Sequence, residues 1–199
     1  MQDTQPKSIY LKDYQAPYFV IDETHLRFDL FEDYTQVDSR LVMGRNKEQH
    51  PNNSGPLVLV GQQVELLSIK VDGELLVAGD YQLDDDVLTI HSIPDTFVLE
   101  ISTRIEPQNN TALEGLYKSG GMFCTQCEAE GFRRITYFLD RPDVMSIFTT
   151  EVIADSTKYP VLLSNGNAIE RKQLGSGRHS VTWHDPHKKP CYLFALVAG

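Results

Sequence analysis

The residues with chemistry to offer are concentrated in one segment, Cys124-Thr-Gln-Cys127-Glu128-Ala-Glu130-Gly131, with Arg133 and Arg134 close behind. A Cys-x-x-Cys pair can be half of a structural zinc site, but such a site takes four ligands, usually from two close pairs. Only Cys191 remains, and the six histidines supply no pair at helical ligand spacing; His184-Asp-Pro-His187 is a poor substitute. No metal is assigned to this chain on that count. A thioredoxin-type redox pair would have to open a helix within a βαβ unit, and nothing here supplies that setting. The favoured reading is two unpaired thiols in a β-rich loop. Three cysteines make no disulfide framework either, so reduced thiols in a reducing compartment are the simplest account.

Glu128 and Glu130 are two residues apart, so an extended strand would turn both to one side, together with Gln126. The same pattern describes a solvated strand face. Its neighbours favour a site. Gly120, Gly121 and Gly131 bracket the segment, and the arginine pair would hold one carboxylate in a bidentate bond, leaving the other free for a ligand. A glycosidase also uses two acids, but normally from separated elements. No Gly-x-Ser-x-Gly elbow, phosphate-binding glycine loop or His-Glu-x-x-His helix occurs.

The elements that must position this segment read as β-structure. Leu26, Phe28 and Leu30 alternate with His25, Arg27 and Asp29, and Val37, Leu41 and Met43 oppose Asp38 and Arg40. Residues 45–56 read as an exposed loop. Val64–Val71 runs into Asp72-Gly73, a tight-turn dipeptide, with a strand returning over Glu74–Val77. Gly79–Asp86 reads as another turn, Asp86–Ile93 as a short strand, and Phe97–Ile105 as the clearest strand of all. Ile135–Leu139 is expected to be a strand buried on both faces. Asp140–Phe148 is expected to form one helical turn, with Pro142 first and Asp140 as cap. Phe148–Ala154 alternates again, and Asn165-Gly166 and Gly175-Ser176-Gly177 signal hairpins. No segment longer than about two turns has a helical period. The expectation is an all-β fold, a sandwich of mostly antiparallel strands forming a single domain over residues 1–199, with residues 1–16 as a polar arm.

Composition narrows the partners. With 28 acidic and 18 basic residues the chain carries a net charge of −10, without the basic footprint that nucleic acid or an anionic membrane requires. No apolar run approaches bilayer length, and the first residues lack the basic-then-apolar order of a signal peptide. The expected location is cytoplasmic, the alternative being a fragment whose signal has been removed.

The run GLYKSGGMFCTQCEAEGFRRITYFLDRPDVMSIFTTEVIADSTKYPVLLSNGN, from Gly115 to Asn167, closely resembles the N-terminal domain of the bacterial aminopeptidase N family. These are zinc metallopeptidases with a His-Glu-x-x-His motif, the alanyl aminopeptidase branch. The tail KPCYLFALVAG is similar to the point where that first domain passes into the catalytic domain. The resemblance implies a saddle-like β-domain packed on a thermolysin-like catalytic domain that follows residue 199, with one loop entering the active-site cavity. Gln126 and Glu128 match the family's Gln-x-Glu. The glutamate there binds the substrate's free α-ammonium group and the glutamine lines the pocket for the first side chain. Glu130, Arg133 and Arg134 are then supports.

The same resemblance places the zinc ligands and the catalytic glutamate beyond residue 199. Zinc would polarise the scissile carbonyl and activate water in the full-length enzyme, and the isolated chain would neither bind it nor hydrolyse peptides. The implied partners are peptides with a free N-terminus and the remaining domains of the same polypeptide. Two other readings stand beside this one. The chain could be a non-catalytic β-sandwich module that grips peptides or sugars, or the loop could be a domain–domain contact with no substrate role.

Overall fold

The computed structural model describes residues 10–199. Fifteen strands follow one another: β1 (Phe19–Leu30), β2 (Thr35–Arg45), β3 (Leu57–Val60), β4 (Glu65–Val71), β5 (Glu74–Leu75), β6 (Tyr81–Asp84), β7 (Val87–Ile90), β8 (Thr96–Ile105), β9 (Gly115–Ser119), β10 (Met122–Gln126), β11 (Met145–Asp155), β12 (Leu162–Ser164), β13 (Asn167–Gln173), β14 (Arg178–Pro190) and β15 (Leu196–Ala198). They form an eight-stranded sheet in the order β13-β14-β11-β1-β2-β8-β4-β5, a four-stranded sheet β12-β15-β10-β9 and a three-stranded sheet β3-β7-β6. The fold is all-β and mostly antiparallel, as the alternation predicts; only β1 and β11 pair in parallel among these strands.

Periodicity decides the large sheet. In β8 the residues Phe97, Leu99, Ile101, Thr103 and Ile105 are buried while those between them are partly exposed, and β1, β2 and β11 follow the same alternation. Apolar side chains from all three sheets merge into one hydrophobic cluster. Its aromatic centre joins Phe28, Phe132, Phe138, Phe148 and Phe194, with Phe132 stacked edge-on to Phe194 at 5.5 Å and tilted against Phe138 at 4.6 Å. Full burial of one such side chain contributes about 1.5–3 kcal/mol.

The tight turn at Asp72-Gly73 is present, with φ of 52° and 86°, and it joins β4 to β5. The returning strand is shorter than expected and stops at Leu75. Gly175-Ser176-Gly177 likewise closes the β13–β14 hairpin.

Four expectations are corrected. Gly79–Asp86 is not one turn, because Tyr81–Asp84 forms β6; the strand lies at the edge of the small sheet and is largely exposed, so it carries no burial alternation. Asn165-Gly166 joins no hairpin. It carries the chain from β12 in the four-stranded sheet to β13 in the eight-stranded one, with Gly166 pressed on the backbone of His184. Ile135–Phe138 is buried but irregular; Val60 and Phe138 exchange backbone hydrogen bonds of 3.0 Å, and the Thr103 hydroxyl on β8 donates to the Ile135 carbonyl at 3.4 Å. Apolar continuity signals burial, whichever backbone conformation delivers it. Asp140–Val144 is a turn leading into β11, not a helical turn, and Asp140 faces inward.

The expectation for the arm falls partly on residues 1–9, outside the described residues. Residues 10–14 are exposed; the Arg141 guanidinium donates to the Gln15 carbonyl at 2.7 Å and the Tyr14 hydroxyl to Asp143 at 3.0 Å.

Candidate functional site

The candidate loop leaves the end of β10, and the backbone fixes it first. β9 and β10 form a hairpin through Gly120 and Gly121, both at positive φ. After Gln126 the strand ends, and the Gly131 amide donates to the Cys127 carbonyl at 2.9 Å, closing residues 127–131 into a turn. Gln126, Glu128 and Glu130 therefore do not share the face of one strand, which corrects the extended reading. The peptide between Glu128 and Ala129 is cis.

Gly131 is required by contact. A Cβ there would lie 2.5 Å from the Gln126 carbonyl oxygen and 2.9 Å from the Gly115 amide. Gly115, at φ 70°, packs just as closely on Arg134. The two glycines let the turn fold back on the base of its own hairpin.

Side chains then hold the turn on both flanks. Cys127 on one side and Phe132 on the other are buried. Arg133 clamps the loop to Asp140, whose side chain is only 2% exposed. The Arg133 backbone amide and Nε donate to Asp140 Oδ2 at 3.1 and 2.8 Å, and the same guanidinium reaches Glu130 at 3.1 Å. Arg134 pairs with Glu114 at 3.1 Å and donates to Gln63 Oε1 at 2.6 Å.

One acid of the loop is thus engaged by an arginine, though through a single guanidinium nitrogen rather than a bidentate fork. Glu128 has no ion-pair partner among the described residues, and both it and Gln126 are exposed. Gln126 Nε2 donates to the Glu128 carbonyl at 3.3 Å, so the two residues are coupled through the backbone of the turn.

Reading the sequence as a list of local patterns misses Asp140. The signal was an acid placed directly after a buried apolar run and seven residues after Arg133. Asp140 also accepts a hydrogen bond from the Cys191 thiol at 3.1 Å. Burial, aided by the charge of Asp140, pushes Cys127 up to about 12 and raises Cys191 as well. Metal binding needs thiolates, whereas the Cys191 thiol is engaged as a donor to Asp140. Among the described residues no group of three His, Cys, Asp or Glu side chains converges as a metal site.

Clefts also lie elsewhere. One of about 430 Å³ sits on the outer face of the eight-stranded sheet. Its charges answer one another: Arg27 lies 3.2 Å from Asp38 and 3.4 Å from Glu151, and Lys172 lies 2.8 Å from Glu170. That self-neutralised face has the character of a solvated surface. Another, of about 310 Å³, lies beside the loop between Gln63, Glu106, Asn110 and Arg134. Gln126 and Glu128 line neither.

Comparison with known proteins gives a consistent result. Residues 61–193 match the family described as the peptidase M1 N-terminal domain. The chain is 49% identical over all 199 residues to aminopeptidase N of Caulobacter vibrioides, of which it spans 22%. Its structure superposes with a TM-score of 0.89 on Legionella pneumophila aminopeptidase A in complex with aspartic acid, at 40% identity, covering 95% of this chain and 22% of that one. A TM-score of 0.75 at 16% identity relates it to an M1 zinc metallopeptidase from Deinococcus radiodurans bound to a Tyr-Ser-Ala substrate, covering 91% of this chain and 42% of that one. The last likeness concerns the fold alone.

Proposed function

This chain belongs to the peptidase M1 N-terminal domain family, and from that premise we propose that its β10 turn anchors the free amino group of a peptide in a zinc aminopeptidase. Glu128 is the anion that meets the substrate ammonium, and Gln126 lines the adjoining pocket. Glu130, Arg133 and Arg134 are positioning residues, and Asp140 joins them. The zinc and the groups that activate water come from the rest of the polypeptide, a catalytic domain following this one; among the described residues no three His, Cys, Asp or Glu side chains converge.

The observation that carries this reading is the contrast between the acids around one turn. Glu114 and Glu130 are paired with arginines, while Glu128 is exposed and has no ion-pair partner among the described residues, on a turn whose flanking residues Cys127 and Phe132 are buried. A carboxylate about 4 Å from an ammonium gains roughly 4 kcal/mol at an effective dielectric near 20, before desolvation. A blocked or internal peptide brings no such charge and leaves the carboxylate unpaired, so rejection is the stronger half of the discrimination. Holding the amine also fixes which peptide carbonyl reaches the reacting centre.

The test is Glu128→Ala in the full-length enzyme. A fall in kcat/KM of roughly 10²- to 10³-fold for peptides with a free N-terminus is expected, with the fold retained. Unchanged kcat/KM would remove Glu128 from substrate binding and favour a purely structural loop.

A further inference from the structure

A second loop presses on the base of the candidate turn. Between β3 and β4 the chain rounds a corner at residues 61–64, and close contacts seat it there. A Cβ on Gly61 would lie 2.6 Å from the Tyr137 ring. The Tyr137 hydroxyl donates to the Val64 carbonyl at 3.4 Å, and the Gln62 amide donates to the Arg133 carbonyl at 2.8 Å. Gln63 sits at φ 55°, in the left-handed region that residues with a Cβ seldom enter. A residue fixed there by its surroundings is a candidate for a functional role.

What Gln63 holds is Arg134. Its Oε1 accepts from Arg134 Nη1 at 2.6 Å, while Glu114 accepts from Nε at 3.1 Å. Arg134 is rooted at the base of the turn, where its amide donates to the Gly131 carbonyl at 3.1 Å. A Cβ on Gly131 would in turn lie 3.0 Å from the Cα of Cys127, the residue before Glu128. Arg134 and Gln63 both line the cleft of about 310 Å³ beside the loop, and Glu128 does not. The guanidinium is thus held on a flank that Glu128 does not share. Glu114 alone is a weak hold, because it is 51% exposed and an exposed ion pair contributes little.

We propose that Gln63 is a positioning residue for the reaction, which keeps Arg134 from neutralising Glu128. The proposal rests on the reading that Glu128 meets the substrate ammonium. A guanidinium released from Gln63 competes with that ammonium for one carboxylate. Substrate then binds only the fraction of molecules in which Glu128 is free. Glutamine suits the task, because its amide oxygen accepts from a guanidinium without adding a charge of its own.

The test is steady-state kinetics of the full-length enzyme on a peptide with a free N-terminus. Gln63→Leu removes the acceptor at nearly constant volume. Its KM is expected to rise about fivefold with kcat little changed, the pattern of lost binding. Gln63→Glu, which retains an acceptor oxygen, is expected to recover most of that loss. Arg134→Gln is expected to raise KM less than Gln63→Leu does, because it removes the cation instead of freeing it. Adding Gln63→Leu to Arg134→Gln is expected to change KM by less than about twofold. Should leucine at a left-handed φ prevent folding, Gln63→Asn tolerates that φ and is too short to reach Arg134.

A merely structural Gln63 gives the reverse order, since Arg134→Gln loses the bonds to both Gln63 and Glu114, and that order would overturn the proposal. Unchanged KM in Gln63→Leu beside a weakened Glu128→Ala would overturn it while leaving the amine anchor in place. A crystal structure of the Gln63→Leu enzyme supplies a readout independent of turnover. It is expected to show Arg134 against the Glu128 carboxylate, and Arg134 still seated on Glu114 alone would count against the tether. Arg134 against Glu128 together with a fully active Glu128→Ala enzyme would instead remove the amine anchor and leave the tether standing.

Discussion

Arg133 and Asp140 form an ion pair of 2.8 Å in which the acid is almost wholly buried and the base carries the candidate loop. The arginine contributes both backbone and side-chain donors to one carboxylate oxygen, so turn and core are joined at one point. Removing one member of such a pair leaves an uncompensated charge and costs about 3 kcal/mol. Asp140→Ala is expected to lower stability by that amount in urea unfolding at neutral pH. Glu130→Ala, which removes an acid whose side chain is 69% exposed, is expected to change stability by less than about 0.5 kcal/mol. Equal effects of the two substitutions would show that the clamp does not reside in Asp140.

Gly131 is expected to resist substitution for reasons of contact. Its φ of −81° is ordinary, but the atoms that a Cβ would strike are backbone and have no rotamer to change. Gly131→Ala should cost about 1–3 kcal/mol. Gly175→Ala, where a Cβ meets nothing within 4 Å, should be neutral or stabilising by up to about 1 kcal/mol. Thermal unfolding of the two variants checks the contrast, which disappears if Gly131→Ala melts with the parent.

Acid should weaken the fold partly through Asp155. Its carboxylate accepts from the Thr157 hydroxyl and from the Lys158 and Thr157 amides, which lower it from 3.8 to about 2. A carboxylate lowered by folding stabilises the native state above its unfolded value, and that contribution is lost as pH falls through the folded one. Glu32 acts in the same direction through hydrogen bonds from Lys118 and Tyr159. The loss assigned to Asp155 falls between about pH 4 and pH 2. Asp155→Asn keeps an acceptor but no longer titrates, so its stability should decline less steeply across that window. Parallel pH–stability curves would exclude the assignment.

The thiols should separate cleanly in the 199-residue chain. Burial holds Cys127 and Cys191 protonated at neutral pH, and the thiolate is the reactive form. Iodoacetamide is expected to modify Cys124 first and to reach the other two only on unfolding. Labelling of Cys191 at the rate of Cys124 under native conditions would contradict the packing around Asp140.

Much of the fold was legible because its determinants are local. Alternation marked β1, β2, β8 and β11, since one face of each is buried, and Asp72-Gly73 marked its hairpin because its two φ values are positive. The same local logic failed at Asn165-Gly166, where a turn dipeptide fits a crossing between sheets as well as it fits a hairpin. It failed for Ile135–Phe138 too, since an apolar run records burial without recording conformation.

The candidate site divides in the same way. Its location was readable from the run of glycines, acids and arginines between 120 and 134, and the family from the longer segment around it. Which acid each arginine holds was not. Arg133 chooses Asp140 and Glu130, Arg134 chooses Glu114, and Glu128 is left over. Those choices depend on where residues far apart in the chain, such as Gln63, Asp140 and Cys191, come together, and on the parallel pairing of β1 with β11. Sequence alone determined the faces of the long strands, the tight turns at Asp72-Gly73 and Gly175–Gly177 and the residues available for chemistry, because these follow from neighbours along the chain. Tertiary structure decided their partners and which carboxylate stays free, because ion pairing and desolvation depend on distances in space.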